Sequence, residues 1–194
     1  MLNVPLNEAQ KDYFSIVGID PGSDTMGISH IKIDIKTFDI VETTAWTIKG
    51  SKMVSEDCWL ATLYSYRRAR IKALKENLID LFNDIDPTIV TCESPFYNPR
   101  RPNAYGVLVE VLTAIGDAVI EYDIWKPLYL IDPSTIKKSV GAPGNADKTV
   151  MKTHVCKLQE QNVLKYKGKV KLQDLDEHSI DAIATGYCKY KTLF

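Results

Sequence analysis

Ser15-Ile16-Val17-Gly18-Ile19-Asp20-Pro21-Gly22-Ser23 decides how this chain is read: an apolar run of strand length that ends on a carboxylate and turns at once. A second run, Ile89-Val90-Thr91-Cys92, ends on Glu93 and is followed by Ser94-Pro95-Phe96. Burying an ion without a partner is expensive, so strands seldom end this way unless something positive waits there. His178 and Asp181 stand three residues apart on a helix expected near the end of the chain. Two strands ending in acids and a helix presenting a third suggest one shared cation. Hard divalent ions prefer oxygen ligands, and two bound together drive phosphodiester hydrolysis.

Working outward, 194 residues with 45% hydrophobic and 25% charged side chains suit one domain with a two-sided core. The expected division is a polar arm over 1–13 and a single domain over 14–194. The net charge of −1 argues mildly against nonspecific nucleic-acid binding, but the charge is uneven. Residues 134–171 hold nine lysines against Asp147 and Glu160, a local balance of +7. Arg67, Arg68, Arg70, Lys72 and Lys75 form a second basic group. Local patches of this kind are what a phosphate backbone needs; the competing reading is two solvated faces. The four cysteines make no CxxC pair and the three histidines no zinc spacing. The chain has no run of 18 apolar residues and no signal-peptide layout, so no membrane partner is expected and a reducing, cytoplasmic setting is.

Alternation and turn residues predict strands over 15–20, 27–34, 39–48, 88–93 and 128–131, the second and third antiparallel. Helical spacing predicts one helix over 56–84, interrupted by the arginines and stopped by Asp86-Pro87, and a second over 103–122. A short basic helix opens at Asp132-Pro133-Ser134, another is capped by Asp147, and the last runs over 174–190. This order is mixed α/β, with a hairpin edge beside parallel strands.

Each segment has a bland alternative. Asp20-Pro21-Gly22-Ser23 suits a metal-binding carboxylate, a nucleotide-phosphate turn of the actin-like ATPase kind, or simply a tight turn. Phe96 and Tyr97, with Arg100 and Arg101 beyond, offer stacking rings and phosphate-holding cations; the alternative is a core aromatic and solvated arginines. On the last helix, Asp174, His178, Asp181 and Thr185 fall on one side, with Ile180, Ile183, Ala184 and Tyr187 as the core face.

Taken together, Gly18-Ile19-Asp20-Pro21-Gly22-Ser23, Cys92-Glu93-Ser94-Pro95-Phe96, Lys137-Lys138-Ser139-Val140-Gly141 with Ala146-Asp147-Lys148, and His178-Ser179-Ile180-Asp181-Ala182-Ile183-Ala184 resemble the RuvC-type Holliday junction resolvases, in order and interval. The resemblance covers about residues 15–190. It implies an RNase H-like mixed five-stranded sheet with helices on both faces, a homodimer, and metal-dependent nicking of branched DNA such as four-way junctions. It makes Asp20, Glu93 and Asp181 metal-binding catalytic acids, with His178 where the family carries Asp or His. Phe96 matches an aromatic thought to wedge at the junction, and Lys137, Lys138 and Lys148 match DNA-contacting basic stretches; Lys152 extends that set. The resulting reading has two Mg²⁺ ions per site, replaceable by Mn²⁺. Asp20 bridges them, Glu93 and Asp181 each hold one, His178 completes a shell or positions water, and Lys148 neutralises phosphorane charge. Helix 103–122 has too few charges for a solvated face and is the expected dimer surface. The longer arm, the low overall charge and the basic stretch over 165–171 depart from the family pattern.

Overall fold

β1 (Tyr13–Asp20) is the central strand of the sheet because almost all its residues are apolar or small, so both of its faces can be covered. The computed structural model of the chain describes residues 12–55, 57–97, 99 and 102–194. β2 (Thr25–Asp34) and β3 (Ile40–Lys49) continue from β1 as an antiparallel meander. β4 (Ile89–Glu93) and β5 (Leu128–Ile131) lie parallel to β1 on its other side, giving the order β3-β2-β1-β4-β5.

Period-two alternation sends the side chains of this sheet into two cores. Ile16, Ile31 and Ile33 are buried on the face covered by α4 (Pro133–Ser139), α5 (Lys148–Glu160) and α6 (Glu177–Leu193). Val17, Ile19, Ile28 and Val90 are buried on the other, under α2 (Tyr66–Ile85) and α3 (Pro102–Tyr122). The chain therefore folds as the expected α/β sheet with helices on both faces.

Several boundaries differ from expectation for local reasons. Tyr13 already pairs with Asp34, so it belongs to β1 and not to an arm; residues 1–11 lie outside the described part. The helix expected over 56–84 is two, α1 (Trp59–Leu63) and α2, because the Ser65 side chain accepts a hydrogen bond from Arg68 N and caps a new helix start. The break falls before the arginines, not within them. α2 ends as expected: Asp86 takes the left-handed conformation (φ 49°) just before Pro87. α6 starts at Glu177, three residues later than expected, behind the N-cap Asp176, and Asp174 sits in a preceding 3₁₀ turn.

Two surface expectations also change. Arg67 pairs with Glu110 (3.1 Å), Arg70 with Asp24 (3.5 Å), Lys75 with Glu121 (2.7 Å) and Lys72 with Glu76. The second basic group is thus largely neutralised within the fold. On α3, Val111 is buried in the second core and not free to form an interface, while Leu112 is half-buried against that core. The outward stripe carries Val109 and Ile120. Among the described residues α3 is also the one helix long and apolar enough by composition to cross a membrane; here its inner side packs into the domain core.

Candidate active site

Asp20 and Glu93 meet because β1 and β4 are parallel neighbours, with Ile19 in register with Cys92 and the two acids one step further on. The α6 helix is then pressed onto this end of the sheet by glycines. A Cβ on Gly27 would lie 2.0 Å from the carbonyl oxygen of His178. One on Gly18 would lie 2.4 Å from that of Ala182. Only hydrogen side chains allow α6 this close, and the Ser29 hydroxyl fixes it by donating to the Ala182 carbonyl at 2.7 Å. Ile180, Ile183, Ala184 and Tyr187 are buried as the core face, and His178 and Asp181 are left at the strand ends. Thr185, expected beside them, is buried, its hydroxyl donating to Asp181 O.

The side chains are strongly coupled. His178 Nδ1 lies 2.6 Å from Asp20 Oδ2. That hydrogen bond raises the imidazole pKa against the opposing effect of burial. Lys148 Nζ donates to Asp181 Oδ2 at 2.6 Å and lies 3.9 Å from Glu177 Oε2. Burial raises the Asp181 carboxyl pKa, and the lysine works against it. Glu93 is pushed up to about 7, first by burial, then by the charges of Asp20 and Asp181, with Lys148 and Lys137 opposing. Burial is the larger cause, and the two neighbouring acids add to it, so an ionised Glu93 stands in a poorly solvated place beside like charge.

That is the condition a divalent cation relieves. Three carboxylates and one imidazole form an oxygen-rich donor set suited to Mg²⁺ or Mn²⁺. Among the described residues no three acidic, histidine or cysteine side chains close around a single ion point. Asp20 is turned to His178 and Asp181 to Lys148. The donors fit the group by their chemistry and lie at one end of the sheet, and these two contacts are what a bound ion would have to displace.

The other expected residues are placed less uniformly. Phe96 and Tyr97 are exposed just past Glu93, and the Tyr97 ring meets Tyr105 of α3 edge-on at 5.9 Å. Lys137 lies close enough to Glu93 to lower its pKa, while its Nζ donates to Ala146 O at 2.8 Å. Lys152 Nζ donates to Leu175 O at 2.8 Å, so it braces α5 against the approach to α6. Lys138 is exposed. Arg100 and Arg101 lie outside the described residues. Sequence reasoning missed Gly18, Gly27 and Glu177; glycine inside a strand pattern was the available signal of close backbone approach.

A central strand flanked by an antiparallel meander and two parallel strands, with acids at the ends of β1 and β4 and on α6, is a fold shared with solved Holliday junction resolvases. Among solved structures the chain is similar to RuvC of Thermus thermophilus, at 19% identity and TM-score 0.63 over 93% of this chain and 96% of that one. The same protein in complex with a Holliday junction substrate gives 19% and 0.62 over 90% and 92%. The yeast mitochondrial Holliday junction resolvase Ydc2 gives 14% and 0.58 over 94% and 83%. No protein-family model and no curated protein sequence matches the chain.

Proposed function

We propose that this protein is a divalent-metal-dependent endonuclease that nicks branched DNA, four-way junctions included, and acts as a homodimer. The observation that carries the reading is the gathering of Asp20, Glu93 and Asp181, with His178, at one end of the sheet, where Glu93 is held at about 7. Two of the structures sharing the fold are complexes with Holliday junction DNA.

In this reading Asp20, Glu93 and Asp181 hold the ions, with His178 as the fourth donor. Bound divalent ions supply an activated water and relieve charge on the phosphoryl oxygens. The chain's own residues do the rest. Before an ion binds, Asp20 holds the imidazole by its contact with Nδ1, which keeps His178 at the strand ends where it would serve as a donor. Lys148, tethered by Asp181 and half-exposed, can swing its ammonium onto a phosphate oxygen as charge develops. Phe96, exposed beside Glu93, offers a ring to an unpaired base. For the dimer, Val109 of α3 and Trp59, Leu63 and Tyr64 around α1 provide exposed apolar surface along one side.

The test is cleavage of a four-way junction compared with linear duplex, flap and RNA–DNA hybrid, in Mg²⁺ and in EDTA. Metal-dependent nicking of the branched substrates is expected. Asp20→Asn should abolish it while keeping DNA binding, since charge is lost and shape is kept. Preference for the hybrid would instead make this an RNase H-like nuclease acting on RNA.

A further inference from the structure

The basic stretch over 165–171 takes no part in the acid cluster, yet the fold lays it along the open edge of the sheet. β3 is the outermost strand on its side. Thr43 N donates to Lys165 O at 2.7 Å and Lys167 N donates to Thr43 O at 2.8 Å, a single parallel bridge between Thr43 and Tyr166. Beyond Lys167 the stretch bends away from β3. A groove of about 670 Å³ opens between residues 44–47 on one wall and 166–170 on the other, with Asp176 and Ser179 of the α6 start also lining it.

Both walls carry donors. Lys165, Lys167, Lys169 and Lys171 alternate with Tyr166, Gly168 and Val170, and alternate residues of an extended chain face opposite ways. Lys167 stands 3.8 Å from Glu42, and among the described residues Lys169 and Lys171 make no ion pair. On the β3 wall, the Thr43 N–H points out of the sheet, so strand periodicity turns those of Ala45 and Thr47 the same way. The groove also leads to the acids. Thr47 is in register with Gly27, and Gly27 with Asp20, two strand spacings or roughly 10 Å away. The Thr47 hydroxyl donates to Asp176 Oδ2 at 3.3 Å, and Asp176 caps the helix that bears His178 and Asp181.

We propose that this groove grips the phosphodiester backbone of the DNA strand being cut, its near end at Thr47 about three nucleotides from the scissile phosphate at a rise of about 3.4 Å each and its far end, at Thr43, further still. Lys167 and Lys169 hold phosphates, backbone N–H groups of β3 face them, and the apolar lining takes the sugars. This rests on the nuclease reading and adds to it a substrate channel built from a stretch that the resemblance leaves unexplained.

The experiment compares Lys167→Ala/Lys169→Ala with the unaltered protein, both carrying Asp20→Asn so that the junction stays intact. Affinity is titrated against salt, and the bound junction is footprinted with hydroxyl radicals. The expected result is a log–log salt slope lower by about 1.8, at about 0.9 per lost phosphate contact. Protection should also disappear on one side of the cut, three or more nucleotides away, and Lys167→Arg/Lys169→Arg should restore both. An unchanged slope and footprint, with the unaltered sequence still nicking junctions, would overturn the channel and leave the nuclease reading standing. If the unaltered sequence neither binds nor cuts any DNA, the nuclease reading falls and the channel with it.

Discussion

Replacing Glu93 by Gln should stabilise the metal-free protein in mildly alkaline solution and leave its stability unchanged in acid. The Glu93 carboxyl is held at about 7 in the fold, against an ordinary 4.5, by burial and by the charges of Asp20 and Asp181. Its folded pKa is raised, so its contribution to stability is fully present below about 4.5 and is lost as pH rises through about 7. Once ionised it costs about 3 kcal/mol, since each step of one in pKa corresponds to about 1.4 kcal/mol. Gln keeps the shape and carries no charge to lose. His178 is present in both proteins, so its own raised pKa largely cancels from the difference. Urea unfolding in EDTA, followed from about pH 4 to about pH 9, measures this directly. The Gln variant should match the unaltered protein at the acid end and exceed it by about 3 kcal/mol at the alkaline end. Added Mg²⁺ should then stabilise the unaltered protein more than the variant, because an ion that binds the native state adds to its stability. A difference that stays flat with pH would refute the crowding of charge at Glu93, and with it the physical case for a cation there.

His178→Asp should remain active and shift toward Mg²⁺, since imidazole suits softer ions better, whereas His178→Ala should lose rate in both Mg²⁺ and Mn²⁺. Initial rates in the two metals check this, and an Ala variant with unaltered rates in both would remove His178 from the site. Gly27→Ala forces a Cβ against the His178 carbonyl oxygen and should cost on the order of 1–3 kcal/mol, with cleavage lost alongside. Unaltered urea resistance and cutting rate would show that this close approach does not position α6. Val109→Asp should yield a folded monomer in sedimentation that nicks junctions without paired cuts. An unaltered protein that is itself monomeric when bound to a junction would defeat the dimer. Val111→Asp would not serve, because Val111 lies in the core and its loss would unfold the domain.

The strand runs ending in Asp20 and Glu93, the stop at Asp86-Pro87 and the core face of α6 were legible in the residues, because each follows from a local period or a local backbone preference. The split of the expected helix at Ser65 was less so: a single cap outweighs helical spacing on both sides of it. What lies outside any local window is which charges are already spent. Arg67 and Arg70 read as free cations until the fold brings Glu110 and Asp24 beside them. Lys148 reads as a DNA contact, and the fold places it on Asp181, 33 residues away. Asp20 and His178 are 158 residues apart and lie at 2.6 Å because three glycine approaches, at Gly18, Gly27 and Gly186, let α6 lie on the sheet. Sequence alone determined the elements and the acids they end in, since these depend on short-range sterics and on burial periodicity. Tertiary structure alone decided how those acids are paired, how far Glu93 is pushed and where the basic stretch runs, since Coulomb energy and close packing depend on distance in space and not along the chain.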